Sequence, residues 1–291
     1  MPNDPSPTQQ NPAAIVDALA RTARKHRTPC GDGSMMWRVW GEGEPLLLFH
    51  GGTGSWTHWI KTIPVLAPRF ELWVPDIPGL GDSAMPPAPH TPSSIAHVVA
   101  AGVDQLFPAN KSLRLAGFSF GGHIAGLLAA RRPDRFSRLI LVGVAGLGLR
   151  ADPRAPFAKT RTGMSPAEVA AVYRQNLEVL MFADPRNIDP LAIHLQIENV
   201  RRARFRSRAF AATDELARAL ADVPAPLGTI WGTLDAIARP SLQARLDVLR
   251  RHHPELEVRT IEGAGHWVMY EAADQFNAAF VDLLQTQRTA P

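Results

Sequence analysis

Short, largely apolar runs punctuate the chain, each closed by glycine or a polar turn. Leu46–Phe49 is wholly apolar, and Leu113–Gly117, Arg138–Gly143 and Leu227–Gly232 are apolar apart from Arg114, Arg138 and Thr229. Continuous apolar runs of four to six residues predict strands buried on both faces. Glu71–Pro75 and Glu257–Ile261 predict two more, and Ser34–Trp40 alternates crudely before the turn signal Gly41–Pro45. Helical spacing fills the intervals, through Trp59 and Leu66, then Thr91–Phe107, Gly122–Arg131, Ser241–Arg251 and Gln275–Leu284. Strands alternating with helices predict an α/β fold, a mostly parallel sheet with helices on both faces. One stretch breaks the rhythm. From Arg150 to Ala212 the pattern is helical with no convincing strand. The expected organisation is therefore a core at 13–149 and 213–291, a helical cap at 150–212, and a Pro-, Asn- and Gln-rich flexible tail at 1–12.

Composition narrows the classes. With 291 residues, 45% hydrophobic and 20% charged, the chain can bury a substantial core, and global disorder is excluded. The net charge of +4, from 31 basic against 27 acidic residues, is too small to imply nucleic acid. Cys30 stands alone, which rules out an intrachain disulfide or a cysteine metal cage and fits a reduced compartment. No basic segment leads into an apolar stretch, and no window approaches the length of a membrane span. A soluble, cytoplasmic protein with no membrane association is expected.

The candidate chemistry begins at Gly117-Phe118-Ser119-Phe120-Gly121-Gly122, directly after an apolar run and before a helix. In that context G-x-S-x-G reads as a sharp turn presenting the Ser119 hydroxyl, with the Phe120 amide at a helix N-terminus where negative charge is favoured. A serine hydroxyl needs a base. His50, His123 and His266 are the candidates. His266, in Gly265-His266-Trp267 after a strand, lies at the sheet edge where ligands gather, whereas His50 reads as a loop brace and His123 as packed or exposed. The orienting acid is expected at Asp235, after the strand between elbow and histidine, because Val142–Arg150 carries no carboxylate. Asp76 and Asp82 read as braces of a Pro- and Gly-rich loop. His50-Gly51-Gly52 ends a buried strand and offers the Gly52 amide as a second oxyanion donor.

Taken together, H-G-G-T-G, P-D-I-P-G-L-G-D-S, G-F-S-F-G-G, W-G-T-L-D and G-A-G-H-W resemble the α/β-hydrolase superfamily over residues 46–290. The resemblance implies an eight-stranded, mostly parallel sheet with a helical cap, and a mechanism with no cofactor and no metal. Ser119 argues against the haloalkane dehalogenases and epoxide hydrolases, which carry aspartate at the elbow. Gly265-His266-Trp267-x-x-Tyr270-Glu271 resembles the histidine loop of the meta-cleavage-product hydrolases, which split carbon–carbon bonds. Those enzymes carry asparagine where this chain has Phe118, and they hold a substrate carboxylate with a cap arginine. Here Arg201, Arg202, Arg204, Arg206 and Arg208 cluster in the expected cap, with Arg201, Arg204 and Arg208 placed on one helix face. Such a cluster is ordinarily a solvated surface. The expected pocket comprises Gly51, Phe118, Trp267, Arg201 and Arg204, and Trp56 and Trp59 divide between core and pocket. The expected activity is hydrolysis of a small-molecule carboxylic ester through an acyl-enzyme. The alternatives are carbon–carbon hydrolysis of a vinylogous keto acid and a non-catalytic receptor for a small apolar ligand. A homodimer is left open.

Overall fold

The computed structural model describes residues 11–152 and 154–286. In chain order the elements are α1 (Pro12–Arg21), β1 (Arg24–Cys30), β2 (Gly33–Trp40), β3 (Glu44–Phe49), α2 (Ile63–Leu66) and β4 (Phe70–Pro75). Then follow α3 (Pro92–Leu106), β5 (Leu113–Phe118), α4 (Phe120–Arg131), β6 (Phe136–Val142), α5 (Pro166–Leu180), α6 (Pro190–Arg202) and α7 (Glu215–Ala219). The chain closes with β7 (Leu227–Gly232), α8 (Leu242–Arg250), β8 (Glu257–Ile261), α9 (Val268–Glu271) and α10 (Ala273–Gln285).

The eight strands form one sheet in the order β1-β2-β4-β3-β5-β6-β7-β8. β2 runs antiparallel to β1 and β4, and the remaining pairs are parallel. Alternation along the apolar runs divides the core. Leu47, Phe49, Leu115, Leu139 and Leu141 face the layer that holds α3, α4 and α8. Leu46, Leu48, Phe118, Ile140 and Val142 face the layer that holds Trp59 and α10. Burial on both faces is why these strands read as continuous apolar runs.

Three expectations need correction. β1, Arg24-Lys25-His26-Arg27-Thr28-Pro29-Cys30, has no apolar signature because it is an edge strand whose side chains are mostly exposed. The expected tail falls largely on residues outside the described ones, but Asn11 and Pro12 belong to α1, where the Asn11 side chain accepts from the Ala13 amide and caps the helix. Residues 150–152 and 154–165 are not helical, so among the described residues the helices between β6 and β7 begin only at α5. The pair α5–α6 fully buries few side chains: Leu177 on α5, and Ala192, Leu195 and Asn199 on α6. Among the described residues no helix is long and apolar enough to cross a membrane.

Candidate active site

Parallel strands β5, β7 and β8 end on the same edge of the sheet, and the loops beyond them carry the three side chains singled out in the sequence. Ser119 sits between β5 and α4 at φ 51°, ψ −117°, a left-handed conformation unusual for a residue with a Cβ. Its amide donates to Val142 O at 2.8 Å, which ties the turn to β6. The flanking glycines are required by close approach. A Cβ on Gly121 would overlap the carbonyl oxygens of His50 and Phe49, and one on Gly117 would lie 2.5 Å from Gly122 N.

His266 Nε2 lies 3.0 Å from Ser119 Oγ, and Nδ1 lies 2.9 Å from Asp235 Oδ2. Asp235 and His266 are almost wholly buried, and Asp235 Oδ1 accepts from the Ile237 amide at 2.8 Å. A carboxylate can only accept from Nδ1–H, so these partners assign the tautomer that leaves the Nε2 lone pair facing the serine hydroxyl. The structure thus brings Ser119, His266 and Asp235 into one hydrogen-bonded chain.

Gly52 and Phe120 line the same cavity as Ser119, and a Cβ on Gly52 would stand 3.5 Å from Phe120 Cβ. Among the described residues neither amide donates to a backbone carbonyl. The loop that carries Gly52 is gripped from both sides. Ile77 N–H donates to His50 Nε2 at 2.9 Å, which leaves His50 Nδ1–H to donate to Gly51 O at 2.8 Å. Gly51 N–H in turn donates to His58 Nδ1 at 3.1 Å. Both rings must be neutral on the accepting nitrogen. Burial pushes His58 well below the usual histidine range, with His50 and His266 adding repulsion, and burial also lowers His50. Ser207 presses on the other side of Gly52 and lines the cavity.

The cavity measures about 430 Å³, a size suited to a small molecule. Phe118 lines it as expected, with its ring 4.8 Å from that of His266. Gly51 does not; it is buried beneath Phe118 and His58. Trp267 does not either. It is fully buried, donating from Nε1 to His58 O at 3.0 Å and packing on Tyr270 at 4.4 Å between ring centroids. Trp56 and Trp59 are also core residues.

The arginines fall differently from the one-helix reading, because α6 ends at Arg202 and the following residues run through a loop into a 3₁₀ turn at Ser207–Phe210. Arg201 is exposed and pairs with Glu198 at 2.8 Å. Arg202 pairs with Asp82, and Arg204 donates to Ser83 O. Asp76 and Asp82 in turn hold Arg38. Arg208 alone of the five lines the cavity. Arg150, Arg154 and Arg245 join it there. None of these was singled out in the sequence, where nothing distinguishes an arginine aimed into a cleft from one on a surface. His58 was missed for a similar reason, since its partner is a backbone amide seven residues upstream.

The sequence profile of the alpha/beta hydrolase family matches residues 46–279, and the chain belongs to that family. It is 32% identical over 257 residues to the dihydrolipoyllysine-residue acetyltransferase component of the acetoin cleaving system of Pseudomonas putida, covering 84% of this chain and 64% of that one. The chain thus spans less than two thirds of that relative's length. It is 27% identical over 255 residues to the 2-hydroxy-6-oxo-6-phenylhexa-2,4-dienoate hydrolase of Burkholderia cepacia, covering 84% of this chain and 88% of the relative. Among solved structures it is similar to a membrane phospholipase A described as a bacterial virulence factor, with a TM-score of 0.76 and 25% identity over 96% of this chain and 93% of that one.

Proposed function

We propose that the protein is a serine hydrolase that cleaves a carboxylic ester of a small molecule through an acyl-enzyme. The observation that carries this reading is the chain Asp235–His266–Ser119, at 2.9 and 3.0 Å. Ser119 Oγ attacks the ester carbonyl carbon as its proton passes to His266 Nε2. The oxyanion that forms takes hydrogen bonds from the Gly52 and Phe120 amides, the latter at the N-terminus of α4. His266 then gives the proton to the departing alcohol oxygen. In the second half, water loses a proton to His266 and attacks the acyl carbon, and the carboxylic acid leaves as the proton returns to Ser119 Oγ. Asp235 holds the imidazole in the required tautomer and stabilises it when protonated. The segment between β6 and β7 covers the cleft as a cap.

A fluorophosphonate should label the folded protein on Ser119, and p-nitrophenyl esters should be turned over. Absence of both would sink the reading and favour a non-catalytic receptor. A second reading, carbon–carbon hydrolysis of a vinylogous keto acid, draws support from the likeness to the Burkholderia cepacia hydrolase and from Arg208 in the cleft. Rapid turnover of a dienoic keto acid beside slow turnover of every ester would select it.

A further inference from the structure

Arg245 stands out among the cleft residues. It projects from α8, on the sheet side of the molecule, and is 3% exposed. Its Nε is buried without a partner, and among the described residues it makes neither an ion pair nor a hydrogen bond. It nevertheless lines the cavity that holds Ser119 and His266. A buried guanidinium with no acceptor is costly, because it has given up water without gaining a partner. The nearest acid it senses is Asp235, which already accepts from His266 and Ile237.

Three more arginines, Arg150, Arg154 and Arg208, extend the positive wall. Arg154 donates to Ala236 O at 3.3 Å, beside the loop that carries Asp235, and Arg208 lies 3.9 Å over the Phe157 ring. Arg154 and Arg208 are exposed at the cavity mouth, and Arg154 repels both Arg208 and Arg245. Packing charges of one sign against one cavity is unfavourable until a ligand of the opposite sign arrives. Phe118, Leu149, Leu180, Met181 and Ile237 make much of the remaining wall apolar.

We infer that Arg245 is the floor of an anion subsite, with Arg154 and Arg208 at its mouth, and that the substrate is an apolar molecule ending in a carboxylate or phosphate group. This rests on the hydrolase reading for the bond cleaved, but not for the anion bound. A guanidinium meets either oxyanion with paired N–H donors, and such charge-assisted bonds are the strong ones.

The decisive experiment compares three p-nitrophenyl esters of similar length: the neutral pentanoate, the glutarate half-ester and a phosphonate-ended analogue. The wild type should hydrolyse at least one anionic ester with a kcat/KM about tenfold or more above the neutral one. In Arg245→Met that ratio should fall at least about tenfold, and Arg245→Lys, which keeps the charge, should recover part of it. Arg154→Met, at an exposed position, should lower the ratio less, and it supplies the comparison should Arg245→Met fail to fold by circular dichroism.

A second arm needs no turnover. Calorimetry on Ser119→Ala should show binding of glutarate or phenylphosphonate that is weakened in the double variant with Arg245→Lys and lost in that with Arg245→Met, and the tighter of the two ligands identifies the oxyanion. Binding without turnover of any ester would overturn the hydrolase reading and leave the anion subsite standing. Ester turnover with no preference for charge, and equal losses on all three esters in the Arg245 variants, would overturn the subsite and assign Arg245 to the support of Asp235.

Discussion

The loops at the sheet edge and the segment between β6 and β7 enclose the same cleft from two sides. On the sheet side Ser119, Asp235 and His266 are fixed by buried strands, and His50 and His58 grip the Gly51 peptide. The inserted side also packs on the core, through Leu177, Met181, Phe182, Ile188, Leu195 and Phe205, and it adds polar attachments. Asn199 Oδ1 accepts from Ser55 Oγ at 2.7 Å, Tyr270 OH donates to Asp189 at 2.6 Å, and Glu271 accepts from the Ala183 and Asp184 amides. One wall is built on buried strands, the other on loops and on two helices with few fully buried residues. Rigid placement is what a nucleophile, base and oxyanion donors require, whereas a wall of loops and half-buried helices can differ in shape without disturbing them. On the proposed reading, the chemistry belongs to the first wall and much of the selectivity to the second.

The comparison can be tested by how steeply each wall responds to change. Ser119→Ala should lower kcat by roughly 10⁴-fold or more with the fold intact, since only binding and oxyanion effects survive. Steady-state kinetics beside circular dichroism would check it, and a variant that kept a tenth of the activity would remove Ser119 from its role. Gly121→Ala should cost about 3 kcal/mol, because the new methyl meets backbone that has no space to yield. Urea unfolding measures this, and a neutral result would mean that the elbow is looser than its contacts indicate. Glu271→Ala should cost about 2 kcal/mol. Its carboxylate accepts from Gly265 on the histidine loop and from Ala183 and Asp184 on the insertion, so it is the point where the two walls meet.

Acidification should act on the sheet side. His50 and His58 are held neutral by burial, below the usual value of 6.5, while the unfolded chain takes up those protons at about that pH. Their contribution is therefore complete above pH 6.5 and is lost as the pH falls below it, with a slope of up to about 1.4 kcal/mol per pH unit for each ring. Denaturant titrations between pH 5 and 7 should show this slope, and His58→Gln should remove about half of it. The smallest effect belongs to the insertion surface. Arg201→Ala should leave stability and kcat/KM almost unchanged, as measured by urea unfolding and steady-state kinetics, since its pair with Glu198 is exposed and screened by water.

Much of this architecture was legible in the chain. Leu46–Phe49, Leu113–Gly117 and Leu227–Gly232 announce their strands because burial on both faces leaves them almost entirely apolar, with Arg114 and Thr229 the exceptions. Ser119 and Asp235 could be picked out as candidates from their places just beyond two such runs, and His266 from its loop after Glu257–Ile261, a strand that is mostly polar. β1 could not, because an exposed edge strand carries no hydrophobic period. The arginines were misplaced because a helical face was extended past Arg202, where α6 stops, and Arg208 reaches the cleft from a different backbone geometry. Trp267 looked like a pocket residue from its neighbour His266, yet the chain turns there and its ring goes into the core. Arg154, Arg245 and His58 depend on which side chains lack partners or which amides they meet, and only three-dimensional contacts carry that information.

The backbone of Ser119 has a consequence for how such a chain could change over generations. A left-handed residue with a Cβ costs on the order of 1–3 kcal/mol, and glycine at the same φ of 51° is free of most of that cost. Ser119→Gly is therefore a stabilising substitution that also deletes the proposed nucleophile. A copy of this protein released from selection for turnover gains fold stability by its most damaging mutation. On the proposed reading, the serine at this position marks a trade of robustness for activity.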